Sequence, residues 1–199
     1  MDVDPHVLPG CSLEGIRVVE LLGCDEAELQ QFFEQTPAYF VAVNGEPATP
    51  TEAREELLGQ LPAGWHCSRL YWLGYRDAQG HLVAVVNIAA DLLAAGVWHI
   101  GLLLVHSRWH GSGLAQRLHT DLEAWAAAKG GQWLRLTVVV GNTRAERFWL
   151  KLGYTQVRTR EGITMGRQVN KVSIQIKPLG NGTIEGYLAL VERDRPVTL

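Results

Sequence analysis

The sequence contains few cysteines, and their number and spacing fit neither a disulfide framework nor a zinc site. Cys11, Cys24 and Cys67 are the three cysteines in 199 residues, and no two of them form a CxxC pair. An odd number without metal-ligand spacing argues against a disulfide framework and against a zinc site. We therefore expect three reduced thiols that pack as small hydrophobic side chains, and we expect no metal.

The sequence also lacks an excess of basic residues and a long apolar run. Lys and Arg number 18, Asp and Glu number 21, and the formal net charge is -3 at pH 7. Nucleic acid is therefore not an expected partner, because its phosphates are normally met by clustered Lys and Arg. No run approaches the ~18 apolar residues of a membrane span, and no signal region precedes the first strand. The expectation is a cytoplasmic protein without a membrane partner.

What the sequence does contain is the composition of a folded domain. Hydrophobic residues make up 47% and charged residues 20%, with seven tryptophans. A chain of this length fits one domain, so we expect a single domain over residues 1–199.

The apolar pattern alternates between strands and helices, which is typical of an α/β fold. Apolar and β-branched runs predict strands at 14–22, 69–75, 82–89, 97–105, 133–140, 154–160, 171–177 and 184–191. Capping residues and helical spacing predict helices at 25–36 and 49–61, from Leu114 to the Gly130-Gly131 pair, and at 145–152. The last predicted strand, in a C-terminal extension over 181–199, would cover a sheet edge or pair in a homodimer.

The turn after the fourth strand has the composition of an anion site. His110-Gly111-Ser112-Gly113-Leu114-Ala115 joins a strand end at Val105 to a helix start. Glycines let backbone N–H groups converge, and the helix dipole favours phosphate oxygens there. The spacing is neither that of a P-loop nor that of a dinucleotide-binding GxGxxG. Taken alone, the turn could equally be a tight connection without a ligand.

Three segments in order resemble the GNAT superfamily of N-acetyltransferases. They are Leu103-Leu104-Val105, the turn His110–Ala115, and Asn142-Thr143-Arg144-Ala145 followed by Phe148-Trp149-Leu150-Lys151-Leu152-Gly153-Tyr154. The match is good over 97–154 and extends elsewhere only by element order. The resemblance implies a GNAT fold, with a mixed, mostly antiparallel sheet of about seven strands, flanking helices and a splayed central strand pair.

The resemblance also implies acetyl-coenzyme A as co-substrate and assigns residues to it. The backbone of Leu103 and Val105 would pair with the pantetheine arm, and the amides from His110 to Ala115 would hold the pyrophosphate. The residues so assigned are Leu103, Val105, His110, Gly111, Ser112, Gly113, Leu114, Ala115, Asn142, Ala145 and Trp149. Arg144, Arg147 and Lys151 form a basic edge that either meets the 3′-phosphate or is a solvated helix face.

Three positions depart from the family pattern. His110 stands where Arg or Gln is usual and Ser107 replaces a frequent Pro, and both changes leave the backbone role intact. Trp149 replaces the tyrosine that often protonates the departing thiolate, and an indole N–H is too weak an acid for that step. The chain could therefore be a transferase with another proton donor, a weak or inactive coenzyme A-binding module, or a transferase of longer acyl groups.

The candidate general base is His99, at a strand position where some family members carry a glutamate. An imidazole of ordinary pKa, near 6.5, suits proton acceptance, and strand alternation would place His99 on the same side as Leu103 and Val105. A structural histidine on a half-buried strand is the alternative. The acceptor is expected to be a small amine or the amine of a peptide or protein. His119 is expected on the exposed side of its helix.

Overall fold

The computed structural model describes residues 7–59 and 61–196, and its centre is one seven-stranded sheet. The strands are β1 (Arg17–Glu20), β2 (Arg69–Arg76), β3 (Leu82–Ala90), β4 (Val97–Val105), β5 (Trp133–Val139), β6 (Thr155–Met165) and β7 (Gln168–Pro178). The helices are α1 (Glu26–Glu34), α2 (Pro37–Asn44), α3 (Glu52–Leu58), α4 (Leu114–Ala128), α5 (Thr143–Lys151) and α6 (Ile184–Leu190). The strand order is β1-β2-β3-β4-β5-β7-β6.

The sheet is antiparallel except at its centre, where β4 and β5 run parallel. They stay paired over only four residues each, from Val97 opposite Trp133 to Ile100 opposite Leu136. Beyond Ile100, β4 remains paired with β3, and β5 remains paired with β7. The two central strands therefore diverge and open a gap in the sheet, as the GNAT resemblance predicts.

A β-bulge in β4 stands directly at this divergence. Asn87 of β3 lies opposite Leu102, whereas the next residue, Ile88, lies opposite Ile100, so Gly101 is the extra residue. A Cβ on Gly101 would lie 2.5 Å from Oδ1 of Asn87. Glycine is therefore required here by the close approach of a neighbouring side chain.

Helices cover both faces of the sheet, and the gap between β4 and β5 lies between these two helical layers. Helix α4 packs on one face, where Trp98, Ile100 and Val105 join Leu118 and Leu122 in the largest apolar cluster. On the other face, α1, α2 and α3 cover Leu102 and Leu104. Helix α6 covers the β5 and β7 side of that second face. No helix in the described residues is long and apolar enough to cross a membrane.

The prediction of a strand at 184–191 is wrong, because the segment forms helix α6. Ile184, Tyr187, Leu188 and Val191 are spaced by three and four residues, and this helical face packs against Trp133 and Ile176. The Thr183 hydroxyl accepts a hydrogen bond from the Gly186 amide and caps the helix. The strand pairing that suggested a homodimer is thus absent from this segment.

Other boundaries also differ from the sequence predictions. Residues between the first two predicted helices form α2, which has Pro37 in its first turn and ends at Gly45 with a φ of 79°. The first strand is only Arg17–Glu20, and the closing hairpin of β6 and β7 extends much further than the predicted 154–160 and 171–177. The extra hairpin length brings its tip to α2, where the Asn170 side chain donates to the Val43 carbonyl.

Candidate active site

The gap beside β4 exposes backbone groups that no strand pairs. The His106 amide donates to the Val83 carbonyl, and the alternation of an antiparallel ladder then turns the backbone of Leu104 towards β3. The N–H and C=O groups of Leu103 and Val105 therefore point the other way, into the gap towards β5. An extended amide-bearing chain laid in this gap could pair with them as an added strand.

The turn between β4 and α4 is shaped by two left-handed glycines. Gly111 has a φ of 80° and Gly113 a φ of 82°, and a Cβ built on either would meet nothing within 4 Å. Side chains at these positions would be strained and would project into open space beside the helix start. The amides of Gly111, Gly113, Ala115 and Gln116 have no acceptor in the part of the chain that the structure describes. They form a cradle for an anion at the positive end of α4.

Other members of the turn are engaged with the protein itself. The Ser112 hydroxyl donates to the Trp109 carbonyl at 2.6 Å and accepts from the Leu114 amide at 3.2 Å. His110 lies with Nε2 3.0 Å from the Val105 carbonyl. The histidine thus uses one of the backbone groups at the gap, which leaves the Val105 N–H and the Leu103 groups free for a ligand.

A cleft of about 270 Å³ continues from this turn to α5. Arg144, Phe148 and Lys151 of α5 face the glycine turn across it. The buried Nε1 of Trp109, which also lines this cleft, has no hydrogen-bond partner in the described residues. Two cations, an apolar ring and an unsatisfied donor suit a ligand with both phosphate and apolar parts.

Asn142 and Ala145 form the start of α5 at the end of β5. The Asn142 side chain accepts from the Ala145 amide at 3.2 Å, so asparagine serves as the helix cap. These residues follow the strand that diverges from β4, which places them at the gap. Arg147 does not line the cleft, in contrast to Arg144 and Lys151.

Trp149 points from α5 into a buried aromatic group. Its ring centroid lies 5.8 Å from that of His119 and 5.2 Å from that of Tyr154. His119 is fully buried, so its predicted exposure is wrong: its ring packs against Trp149 and Tyr154, which cover this side of α4 in addition to its apolar stripe. Burial, helped by Lys177, lowers the pKa of His119 to about 4, and Nε2 lies 2.9 Å from the Tyr154 hydroxyl. This neutral histidine satisfies a buried phenol.

His99 lies on the opposite face of β4 from Leu103 and Val105. The bulge at Gly101 reverses the alternation, so Val97, His99, Leu102 and Leu104 share the face of α1–α3 and α6. The predicted shared side for His99, Leu103 and Val105 is therefore wrong. His99 still lies within two residues of the point where β4 and β5 separate. It therefore borders the gap from the face that α1–α3 and α6 cover.

A buried ion pair stands behind His99. Arg135, directly opposite on β5, is 2% exposed, and its Nε donates to Asp194 Oδ2 at 2.8 Å. Asp194 is fully buried and also accepts from the Tyr187 hydroxyl at 2.6 Å. Arg135 and Tyr187 hold the pKa of Asp194 below its usual range despite its burial. Arg135 is thus fixed in place beside the imidazole.

The same arginine determines the protonation of His99. Nδ1 lies 3.1 Å from the Arg135 carbonyl and 3.2 Å from Arg135 Nη1; a protonated Nδ1 donates to the carbonyl, whereas an unprotonated Nδ1 accepts from the guanidinium. Nε2 is the nitrogen left for a substrate. Burial, reinforced by the Arg135 guanidinium, lowers the pKa of His99 to about 3, well below the ordinary value expected from the sequence. The imidazole is neutral at pH 7.

Sequence reasoning did not identify Arg135 or Asp194 as site residues. Trp65 lies at the same site, with its ring centroid 6.4 Å from that of His99. Phe40, Tyr71, Trp72 and Trp98 are core residues. The one available sign was Arg135, a single charge inside the apolar run Trp133–Val139, because a charge in a doubly covered strand needs a buried partner.

A family model supplies independent evidence. The model described as Acetyltransferase (GNAT) family matches residues 25–154, which is more than half of the chain. The chain belongs to the GNAT acetyltransferase family. No curated protein sequence gives a significant match.

Solved structures of GNAT proteins share the fold at low sequence identity. An acetyltransferase from Thermus thermophilus superposes with a TM-score of 0.65 at 22% identity, covering 82% of this chain and 97% of that one. The ribosomal-protein-S18-alanine N-acetyltransferase from Escherichia coli gives 0.62 at 13% identity, covering 85% and 97%. A spermidine N-acetyltransferase from Vibrio cholerae, solved with CoA and spermine, gives 0.63 at 13% identity, covering 83% and 96%. The seven-stranded GNAT fold is therefore established.

Proposed function

We propose that this GNAT protein transfers the acetyl group of acetyl-coenzyme A directly to an amine within a ternary complex. The observation that carries the proposal is the backbone edge of Leu103 and Val105, which no strand pairs, together with the amide cradle of Gly111–Gln116 that follows it. Acetyl-coenzyme A would supply an activated thioester. Leu103 and Val105 would hold its amide-bearing arm, and the cradle, with Ser112, Leu114 and Ala115, would hold its pyrophosphate. We keep His110, Asn142, Ala145 and Trp149 as the remaining cofactor contacts.

His99 is the proposed base. As the amine nitrogen bonds to the acetyl carbon, the carbon–sulfur bond breaks and the sulfur leaves as a thiolate, one proton leaves the nitrogen, and the thiolate takes up a proton from water. His99 can accept the first proton at Nε2 when Nδ1–H is donated to the Arg135 carbonyl. Because the pKa of His99 is about 3, it accepts this proton only once bond formation has made the nitrogen acidic, and it does not deprotonate the free ammonium.

A second candidate function follows from Trp149. Without the usual tyrosine, the chain could bind coenzyme A with little turnover. The phenol nearest to Trp149, Tyr154, is an unsuitable replacement donor, because burial raises its pKa well above the ordinary value. Longer acyl chains are a variant of the main proposal, since no described residue at the gap selects for acetyl.

One experiment separates these functions. The protein is titrated with free, acetyl- and longer acyl-coenzyme A while thermal stability is followed, and thiol release is then measured with amines. Saturation at 100 times the dissociation constant should stabilise the fold by ~2.7 kcal/mol. Binding with amine-dependent thiol release supports the transferase, whereas binding without release supports the coenzyme A-binding module. Absence of any shift contradicts both.

A further inference from the structure

Four arginines gather around one carboxylate on the acceptor face of the sheet, the face of His99. Arg135 and Arg160 both pair with Asp194, at 2.8 and 3.2 Å. Arg158 donates to the Arg193 and Arg195 carbonyls, and Arg160 also donates to the Arg193 carbonyl. Neither Arg158 nor Arg193 forms an ion pair within residues 7–59 and 61–196. This arginine cluster (Arg135, Arg158, Arg160 and Arg193) carries four positive charges against one negative charge.

Trp65 connects this cluster to the reaction centre. The Arg193 guanidinium lies 4.5 Å from the centre of the Trp65 ring, and the Arg135 guanidinium lies 5.5 Å from it. The same ring lies beside His99, whose strand separates from β5 two residues further on. Arg193 is the exposed member of the group, whereas Arg135 is buried. The Arg193 guanidinium and His99 are therefore both neighbours of one aromatic ring.

We propose that the acceptor is an amine that also carries a carboxylate, and that Arg193, held over Trp65, binds that carboxylate. The proposal rests on the transferase function and specifies its substrate class. The excess of positive charge favours an anion near the amine. Phosphates of coenzyme A do not meet this need, because their cradle lies at the opposite face of β4.

The protein itself shows what these guanidinium groups bind. Asp194 presents one carboxylate to Arg135 and Arg160 in the buried part of the cluster, through both of its oxygens. A planar guanidinium matches the two oxygens of a carboxylate, and an aromatic ring beneath it keeps the fork oriented. Polyamines are disfavoured, because Trp65, the aromatic face that could receive their ammonium groups, already carries two arginines.

The test compares acceptors that differ only in the carboxylate. Thiol release from acetyl-coenzyme A is measured with 4-aminobutyrate and 4-aminobutyramide, with phenylalanine and phenylalaninamide, and with two peptides that carry Glu or Gln after the N-terminal residue. Spermidine is the cationic probe. We expect kcat/KM to be at least about tenfold higher for the acid than for its uncharged partner in at least one pair. We also expect lower kcat/KM values for spermidine than for the probes that lack the carboxylate.

Arg193 variants sharpen the test. Arg193→Gln should reduce the acid-to-amide preference by about 10- to 100-fold, the range for a hydrogen bond to a charged group. Arg193→Glu should favour spermidine over the acids. The matched control is Arg195→Gln, which also removes one charge. The Arg195 side chain donates to the Leu188 and Ala189 carbonyls, away from Trp65, so this variant should keep the wild-type preference.

Binding is measured separately from turnover, so the two proposals can fail independently. Calorimetry with 4-aminobutyrate and its amide, with and without free coenzyme A, reports carboxylate recognition even if no acetyl group moves. Preferential binding of the acid without acetylation contradicts the transferase proposal but supports carboxylate recognition by Arg193. Equal rates and equal binding within every pair overturn it, as does a complete absence of binding and acetylation for all the carboxylate probes.

Discussion

The two faces of the β4–β5 pair are built in different ways. On the α4 and α5 face, the candidate cofactor site consists of backbone groups and glycines within residues 103–116, joined by the start of α5. On the acceptor face, side chains from four distant parts of the chain meet: Trp65, His99, Arg135 and Asp194. The first face depends on local conformation, whereas the second depends on long-range packing.

We infer that this difference corresponds to two tasks: binding a cofactor that the family shares, and recognising an acceptor that differs between members. Backbone recognition of the cofactor, as we propose it, would tolerate changes such as Trp149, because the amides remain wherever the turn is kept. The side-chain network on the other face is anchored in α6 and the turn after it, so the acceptor recognition that we propose for it depends on how the C-terminal segment packs. The two faces should therefore fail in different ways when they are mutated.

The largest expected effect is on the cofactor face. Gly113→Glu places a carboxylate where the amides would receive a pyrophosphate and forces a side chain into a φ of 82°. Like charges in contact cost several kcal/mol, so we expect at least about a 100-fold loss of coenzyme A affinity in calorimetry. The strain itself should cost only about 1–2 kcal/mol of stability.

Gly113→Asn is the control for strain, because asparagine tolerates the left-handed region and adds no charge. It should keep coenzyme A affinity within about tenfold of the wild type. Unchanged affinity in Gly113→Glu would refute the assignment of the turn to the cofactor.

The next effect concerns His99 and breaks the acceptor face alone. His99→Gln should lower kcat/KM by about 10² to 10⁴ while the coenzyme A dissociation constant stays nearly constant. Because the pKa of His99 is about 3, its protonation removes activity only below about pH 4. Any loss of rate between pH 7 and 5 then reflects the acceptor amine.

That part of the pH profile should be the same in His99→Gln and in the wild type. A variant with the wild-type rate would make His99 a structural residue. A wild-type profile with a limb near pH 6.5 that the variant lacks would contradict the neutral imidazole.

A third prediction tests the support of the acceptor face. Asp194→Asn leaves the Arg135 charge buried without a counter-ion, which typically costs 3–5 kcal/mol, or roughly 10 °C in Tm for a chain of this size. Since the pKa of Asp194 is lowered in the folded state, this stabilisation is full at neutral pH and is lost as the pH falls through that lowered value.

The control is Glu192→Gln, because Glu192 is exposed and pairs only with Arg195 among the described residues. It should change Tm by less than about 2 °C. The double variant Arg135→Met with Asp194→Leu should recover much of the stability, since no charge remains buried. Equal losses of Tm in Asp194→Asn and Glu192→Gln would show that the buried ion pair is not needed for stability.

The same contrast explains how much the sequence could predict. Strands β2 to β5, helix α4 and the glycine turn follow from apolar periodicity and caps that are local in sequence, and the family motif lies in the same stretch. Helix α6 was missed because a short apolar run fits the two-residue repeat of a strand as well as the 3.6-residue repeat of a helix. Only the packing of Tyr187 against Trp133 reveals the helical repeat. The side of His99 was missed because a one-residue bulge at Gly101 inverts it.

The acceptor site was beyond local reasoning for a further reason. Arg135 and Asp194 are 59 residues apart, and nothing in either neighbourhood marks them as partners. Only the antiparallel return of β7 and the docking of α6 bring the C-terminal turn over β5. Contacts of this kind depend on the complete fold.

The smallest expected effect lies at Trp149, on the cofactor face. Trp149→Tyr keeps an aromatic ring against His119 and Phe148 and introduces the hydroxyl that the GNAT resemblance leads us to expect at this position. We expect unchanged coenzyme A affinity, a stability loss of about 1–2 kcal/mol from the smaller ring, and a kcat equal to or up to about tenfold above the wild type. Trp149→Phe is the matched control, because it makes a similar packing change without the hydroxyl and should not raise kcat. If Trp149→Tyr loses most of its rate while it still folds and binds coenzyme A, the indole itself takes part in positioning the acetyl group. The cofactor face then depends on a side chain as well as on backbone groups.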